Sequence, residues 1–180
     1  MRISECPPDT EIIGQMMLPI LNNLHAEEIR PFLVVHNLSE IDPEKWYKVK
    51  DFLDVLSDVA KAPGGMTNMV AVGMSTANNM VLPADTPAPS LPMVLAMWDQ
   101  IHEQQHRGTP IGSVHTEKIN DTYYRITHAH PYPDDLIYGL AYGMARRFLP
   151  KGTQFQVRYN TDLPRKDEGG DATVIDITWS

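Results

Sequence analysis

The stretch IGSVHTEKINDTYYRITHAHPYPDDLIYGLAYGMARRF, residues 111–148, decides the fold class. Apolar and polar side chains alternate over residues 111–119 and again over 122–130, which predicts two β-strands. Asn120-Asp121 lies between them and is typical of a hairpin turn. This part of the chain therefore predicts an antiparallel β-hairpin.

The residues that follow the hairpin extend it to a β-β-α-β-β unit. The segment 131–133 is Pro-Tyr-Pro and ends the second strand, and a helix is predicted over 134–148. Two further alternating segments, 153–160 and 172–179, predict two more strands. Strands and helices that are segregated along a chain are typical of an α+β fold, in which helices pack on a mostly antiparallel sheet.

The part of the chain before the hairpin has helical periodicity. A Pro-rich loop is predicted over 83–92, and the expected fold is one α+β domain over 1–180, with N-terminal helices (about 9–107) packed on the C-terminal antiparallel sheet unit (about 110–180). Five helices are predicted. The first covers residues 11–25 with a kink at Pro19, and the second covers 29–38. The third starts at Asp42-Pro43-Glu44 and stops at Pro63-Gly64-Gly65, the fourth covers 66–80, and the fifth runs from Ser90 to about Arg107.

Composition narrows the class of partner. The formal net charge is −8 with a pI near 5.2, which disfavours binding to nucleic acid and to anionic membrane surfaces. The single cysteine, Cys6, cannot form an intrachain disulfide. There is no secretory signal and no apolar run long enough to span a membrane, so we expect a cytoplasmic protein without membrane insertion.

The segment PYPDDLIYGLAYGMARRF (131–148), followed by two strands with Gly170-Asp171 at the last turn, resembles the 4-vinyl-reductase-type, hydrocarbon-binding domain. That family is similar in fold to transport-protein-particle subunits and to heme-NO-binding domains. The chain lacks the family's cysteines: Val174 follows the Gly-Asp pair where a thiol is expected. Any metal or thiol role that those cysteines carry in the family is therefore absent here. The resemblance implies a ligand pocket between helices and sheet, and homodimerisation.

The candidate ligand site follows from the helix and the strand before it. Gly139 and Gly143 are one helical turn apart, and each costs about 1 kcal/mol relative to alanine, so close approach of another helix, the sheet or a ligand is expected there. We expect a small hydrophobic or aromatic ligand in an apolar pocket. The predicted ligand-binding residues are Tyr138, Tyr142, Gly139, Gly143, His128, His130 and Met144.

Two histidine pairs suggest an alternative. His102 and His106 share one side of a predicted helix, and His128 and His130 share one face of a predicted strand. Imidazole nitrogens at these four positions could bind a transition metal, and heme through one of them rests on fold analogy alone. The cofactor is thus left open. A simpler interpretation of His102 and His106 is a favourable interaction with the helix dipole.

No nucleophile elbow, phosphate loop or dinucleotide motif is present, and the acidic pairs Asp134-Asp135 and Asp167-Glu168 are interpreted as helix capping and a solvated turn. The sequence therefore favours a binding role over catalysis. The first hypothesis is a dimeric sensor or carrier domain that signals through a separate protein. The alternatives are a metal-dependent enzyme that uses the four histidines and a dimerising scaffold without a ligand.

Overall fold

The computed structural model describes residues 6–62, 68–80, 82 and 89–180. Seven strands and six α-helices are defined within these residues. In chain order they are β1 (Glu11–Ile13), α1 (Gly14–Leu21), α2 (Ala26–Val35), β2 (Trp46–Lys48), α3 (Val49–Lys61), α4 (Met69–Asn79), α5 (Leu91–Gln104), β3 (His106–Arg107), β4 (Val114–Asn120), β5 (Tyr123–His128), α6 (Asp134–Phe148), β6 (Phe155–Tyr159) and β7 (Thr173–Trp179).

The C-terminal unit has the predicted β-β-α-β-β order. Its four strands form one antiparallel sheet in the order β4-β5-β7-β6. Buried and part-exposed positions alternate along β5 and β7, and the inner face of the sheet carries Ile126, Ile175 and Ile177 without solvent exposure. The α+β fold class is therefore confirmed, and so are the bounds of α6.

A second sheet, in the order β2-β1-β3, was not predicted. The helix expected over residues 11–25 begins only at Gly14, because Glu11–Ile13 forms a strand that pairs with β2 on one side and with β3 on the other. Ile12 at its centre has no solvent exposure. Pairing with distant segments overrides the local helical pattern at these three residues.

The start predicted for α3 is also wrong. The Asp42 carboxylate accepts a hydrogen bond from the backbone N–H of Glu44 at 3.0 Å, which forms a local turn, and the helix begins only at Val49, after β2. An aspartate before a proline suits a turn as well as a helix start. The helix prediction is correct from Val49 onward, and Val49, Phe52 and Leu53 are fully buried.

The remaining helices agree with the predictions in their centres. Ser90 precedes α5 but makes no side-chain capping bond, and α5 ends at Gln104, so His106 lies in β3. The predicted stop at residues 63–65 and most of the Pro-rich loop, 83–88, fall outside the described residues. Among the helices that the structure describes, none is long and apolar enough to cross a membrane.

Helices α4 and α6 pack at very short range because both carry glycine. A Cβ atom on Gly139 would lie 2.2 Å from the carbonyl oxygen of Val70, and one on Gly73 would lie 2.2 Å from that of Leu136. A side chain at either position would push the helices apart. The close pair forms one wall of the interior, against which α1 and α5 pack.

Candidate functional site

Helices α1, α4, α5 and α6 enclose a cavity of about 170 Å³. Apolar side chains dominate its lining, and the polar members are Gln15, Thr76, Asn79 and Gln105. An engineered protein cavity of roughly 150 Å³ is large enough to bind benzene or xenon, so this volume suits a small guest. The lining residues are Gln15, Met16, Pro19, Thr76, Asn79, Met80, Leu82, Val94, Trp98, Ile101, Gln105, Leu140 and Met144.

One face of α5 supplies a large part of the lining. Val94, Trp98, Ile101 and Gln105 follow one another at spacings of three and four residues, which places them along a single helix face. The opposite wall is formed in part by Thr76 of α4, whose hydroxyl donates to the Val72 carbonyl at 2.8 Å. That hydroxyl hydrogen is therefore already used, and the polar groups free to meet a ligand are amides.

The other face of α5 carries a different cluster. His102 lies between two other imidazoles: its ring centroid is 4.6 Å from that of His106 and 4.9 Å from that of His130, and His130 is 4.9 Å from His128. We call these four residues the histidine stack. The two pairs predicted from sequence are thus brought together, by α5 and β3 on one side and by β5 and the residues after it on the other.

Hydrogen bonds fix the outer end of the stack. The His106 Nδ1–H donates to the His102 carbonyl at 2.7 Å, because a carbonyl can only accept, and the Tyr132 hydroxyl then donates to His106 Nε2 at 2.7 Å. The inner members have fewer partners. His102 Nε2, His130 Nδ1 and both ring nitrogens of His128 are buried without a hydrogen bond among the described residues.

Burial keeps the stack uncharged. It lowers the pKa of His102 to about 4, assisted by repulsion from His106, and lowers the pKa of His128 to about 3, assisted by the Lys166 ammonium. The pKa of His130 falls well below its ordinary value for the same reason, and that of His106 is also lowered by burial. Cationic imidazoles at a helix end, the simpler interpretation made from sequence, are therefore excluded at neutral pH.

The stack does not present its nitrogens to one point. His102 and His130 lie nearly parallel, with 26° between the ring planes, so the rings meet face to face. Within the described residues, no group of three or more His, Cys, Asp or Glu side chains is arranged to hold a metal ion. The metal site predicted at these four histidines thus receives no support from the geometry.

A buried ion pair closes the inner end of the stack. Lys166 Nζ lies 3.0 Å from Asp134 Oδ1 and donates to the His130 carbonyl at 2.6 Å. Asp134 also accepts from the Thr173 hydroxyl at 2.7 Å, and its Oδ1 is 3.6 Å from His128 Nε2. Burial raises the pKa of Asp134, but the Lys166 ammonium and the Thr173 hydroxyl outweigh it and hold the pKa below its ordinary value.

Asp134 differs from its sequence interpretation, whereas Asp167 and Glu168 are exposed in a turn as expected. Asp134 makes no capping bond, since the N-cap of α6 is Pro133 and no side chain caps it. Lys166, expected in a solvated turn, has a side chain only 5% exposed. A buried charge needs a partner, which explains why both charges occur.

The other predicted ligand residues fall on three faces of α6. Met144 lines the cavity. Gly139 and Gly143 contact α4, so the close approach of another helix accounts for both. Tyr138 donates its hydroxyl to the Val157 carbonyl at 2.9 Å and Tyr142 packs on the Phe155 ring, which places both against β6. Ligand contact by these tyrosines and glycines stays a prediction.

Sequence reasoning missed much of the cavity lining and the partners of the stack. Trp98, Ile101 and Leu140 have no predicted site role and stand in the sequence only as apolar helix residues. Their spacing on α5 and α6 signals a shared face, but which face meets the other helices depends on packing. A second hollow, of about 430 Å³, lies open on the outer face of the sheet, where Asp176 is already held by Arg125 and Asn160.

The comparisons with known proteins bear on the fold. No protein family matches the sequence, and no curated protein matches it. Solved structures do match. One of them is an oxygen-binding H-NOX domain related to soluble guanylate cyclases, in its oxygen complex. It has a TM-score of 0.67 at 15% sequence identity, and the match covers 93% of this chain and 92% of that chain.

Two further solved structures have a similar fold. A single-substitution variant of the Tt H-NOX domain has a TM-score of 0.69 at 15% identity, with 93% of this chain and 92% of its own covered. An S. oneidensis H-NOX protein in the Fe(II) ligation state has a TM-score of 0.65 at 12% identity, with 94% and 96% covered. This chain therefore has the H-NOX α+β fold, which confirms the predicted relation to heme-NO-binding domains at the level of fold.

The likeness raises the question of whether the residues fit a heme, and they do not. His102 Nε2 is buried and unpartnered, as an axial ligand atom would have to be before it binds iron. However, the His102 ring packs on His130 and does not line the cavity. The cavity of about 170 Å³ is also smaller than the roughly 300–1,000 Å³ of sites that enclose drug-sized ligands.

Proposed function

We propose that this chain is a small-molecule-binding sensor or carrier domain, whose ligand is a small apolar or single-ring aromatic molecule held between α1, α4, α5 and α6. The observation that carries the proposal is the cavity of about 170 Å³ with Trp98, Ile101, Leu140 and Met144 in its wall. A cavity of this size and lining excludes water from an apolar guest, and burial of the guest's apolar surface drives binding.

Two observations support a binding role over catalysis. The cavity wall holds amides and one hydroxyl but no carboxylate, imidazole or thiol, so it offers no general acid, general base or nucleophile among the described residues. The resemblance of about residues 110–180 to hydrocarbon-binding domains points to the same class of ligand. The H-NOX neighbours, one of which is described as an oxygen complex, are consistent with a fold that encloses small ligands.

We further propose that the domain acts as a homodimer and passes its ligand state to a separate signalling protein. These proposals rest on the resemblance to the 4-vinyl-reductase-type domain. Analytical ultracentrifugation of the purified chain measures the first directly. A monomer at all accessible concentrations would contradict it.

The experiment that tests the cavity is ¹⁹F NMR of the purified protein with fluorobenzene as the probe. We expect saturable binding, and we expect Val94→Phe to abolish it, because Val94 is 2% exposed in the cavity wall and a phenyl ring there occupies the space. Met93→Phe places the same ring one residue earlier on α5, outside the lining, and serves as the matched control. Equal binding by both variants would place the probe elsewhere and contradict the proposal.

The same sample decides between this proposal and the rival cofactors. We expect no Soret absorption band and no stoichiometric metal in elemental analysis. A Soret band that disappears in His102→Ala would show that heme displaces the present packing of His102. Stoichiometric zinc, iron, copper or nickel that is lost in His102→Ala and His128→Ala would instead support the metal-dependent alternative.

A further inference from the structure

The cavity shares part of its wall with the protein surface. Gln15, Pro19 and Asn79 line the cavity and also line an open hollow of about 390 Å³ on the outside, next to α1. Gln15 and Asn79 are exposed. By contrast, Val94 and Met144, which also line the cavity, are 2% and 1% exposed, so the cavity is closed there.

One helix beside this opening is held at its end. Thr76 Oγ1 of α4 lies 3.4 Å from the Pro19 carbonyl oxygen of α1, but its hydrogen is donated to the Val72 carbonyl. On the other side, the Arg147 guanidinium donates to the carbonyls of Ala77 and Met80, each at 2.8 Å, and so fixes the C-terminal end of α4. Side chains are the parts of this opening that can move without displacing α4 from these contacts.

The two side chains at the opening are free to move. Among the described residues, neither the Gln15 amide nor the Asn79 amide makes a hydrogen bond, and both are exposed. Exposed side chains of this kind change rotamer within picoseconds to nanoseconds. Rotation of either amide would widen or narrow the passage without any change in the helices.

Pro19 adds a polar feature to the same place. It lies inside α1 and has no N–H, so the Gln15 carbonyl cannot receive the usual helical bond from residue 19. This carbonyl and the two amides give the opening a polar rim, whereas Trp98, Leu140 and Met144 give the interior an apolar wall. An apolar guest is therefore not retained at the rim.

We propose that Gln15, Pro19 and Asn79 form the port through which the ligand reaches and leaves the cavity, and that the Asn79 side chain sets the rate of passage. The proposal rests on the proposed function, because a port requires a cavity that binds. It assigns Asn79 a kinetic role: a bulkier side chain slows both association and dissociation.

The test measures exchange of fluorobenzene by ¹⁹F NMR line shapes on the wild-type chain, Asn79→Trp and Asn78→Trp. Asn78 is also exposed at the end of α4 but lines neither hollow, so its substitution is the matched control. We expect both rate constants to fall about tenfold or more in Asn79→Trp, which corresponds to about 1.4 kcal/mol of added barrier. Asn78→Trp should match the wild type.

Each outcome separates the port from the cavity. Equal rates in Asn79→Trp and Asn78→Trp would overturn the port and leave the cavity standing. A changed Kd in Asn79→Trp, with one rate unaltered, would make Asn79 a contact residue and would also overturn the port. Absence of fluorobenzene binding to the wild-type chain would overturn the proposed function and the port together. If Asn79→Trp does not fold, Asn79→Ala should raise both rate constants instead.

Discussion

The two faces of α5 differ in what they offer. One face, with Val94, Trp98 and Ile101, borders open space but carries little polar chemistry. The other face carries His102, which stacks on His130 and belongs to a group of four imidazoles that enclose no cavity between them. The two sides of α5 differ in their chemistry: the cavity wall holds no titratable side chain among the described residues, whereas a hollow of about 260 Å³ beside the stack is lined by His102 and His106. The proposed apolar ligand therefore belongs on the cavity side of α5, and we propose that the histidine stack stabilises the fold.

The ion pair at the inner end of the stack gives the sharpest test of this division. Asp134→Ala leaves the Lys166 ammonium buried without its counter-charge, and we expect a loss of about 3–5 kcal/mol in the free energy of unfolding. Urea denaturation measures it. Asp135→Ala, one residue later, removes only an exposed carboxylate that accepts from the Tyr159 hydroxyl, and should cost about 1 kcal/mol or less.

A small effect of Asp134→Ala, equal to that of Asp135→Ala, would mean that Lys166 finds water when its partner is lost. The histidine side of α5 would then be open to solvent. The contrast between the two faces would not hold.

Acid should lower the free energy of unfolding through the histidine stack, because the cavity wall holds no titratable side chain among the described residues. The pKa of His102 is about 4 in the folded chain and near 6.5 when unfolded, so between these values the unfolded chain binds the extra proton. Stability is complete above pH 6.5 and is lost as pH falls towards 4, by about 3 kcal/mol from His102 alone. His128 and His130, whose pKa values are also lowered, add to this loss.

Urea denaturation between pH 7 and pH 4.5 measures the effect. In His102→Phe, the free energy of unfolding should fall less steeply as the pH is lowered, because unfolding of the variant takes up one proton fewer. His115→Phe removes an exposed histidine of β4 and should leave the dependence as in the wild type. Identical pH profiles for the wild type and His102→Phe would contradict a neutral, buried stack.

The contact between α4 and α6 gives a smaller effect, which is informative through its sign. Helix propensity alone predicts that Gly139→Ala stabilises the chain by about 1 kcal/mol. The packing predicts the opposite, since the added Cβ meets the Val70 carbonyl at 2.2 Å, and overpacking costs about 1–3 kcal/mol. Thermal unfolding decides the sign, and a higher Tm in the variant would contradict the close packing of these helices.

The same variant links packing to the cavity. Because α4 and α6 both line it, moving them apart should change its volume and the affinity for fluorobenzene. A variant of lower stability with unchanged affinity would mean that the helix contact and the cavity are independent.

Local patterns were sufficient where an element is long and its environment is uniform. The helix over residues 134–148 has the predicted bounds, because Pro131-Tyr132-Pro133 before it and Pro150 after it interrupt regular structure in any context. Alternation predicted the strands β5 and β7, on which Ile126 and Ile175 lie in the core. The fold class follows from these elements.

Short elements and buried charges could not be read in the same way. Glu11–Ile13 has helical neighbours and becomes a strand only because residues 46–48 and 106–107 pair with it. Lys166 lies in a segment rich in charged residues, which is typical of a solvated turn. Its side chain is nevertheless buried, because its ammonium pairs with Asp134 and donates hydrogen bonds to two backbone carbonyls. In both cases the deciding partners lie far away in sequence.

The sequence by itself determined the α+β class, the β-β-α-β-β order and the two histidine pairs, since these depend on periods of two and of three to four residues that any short segment displays. Only the tertiary structure decided that the two pairs form one uncharged stack and that α1, α4, α5 and α6 enclose a cavity. Burial and empty space are properties of several segments packed together. No local pattern encodes how far apart those segments come to rest.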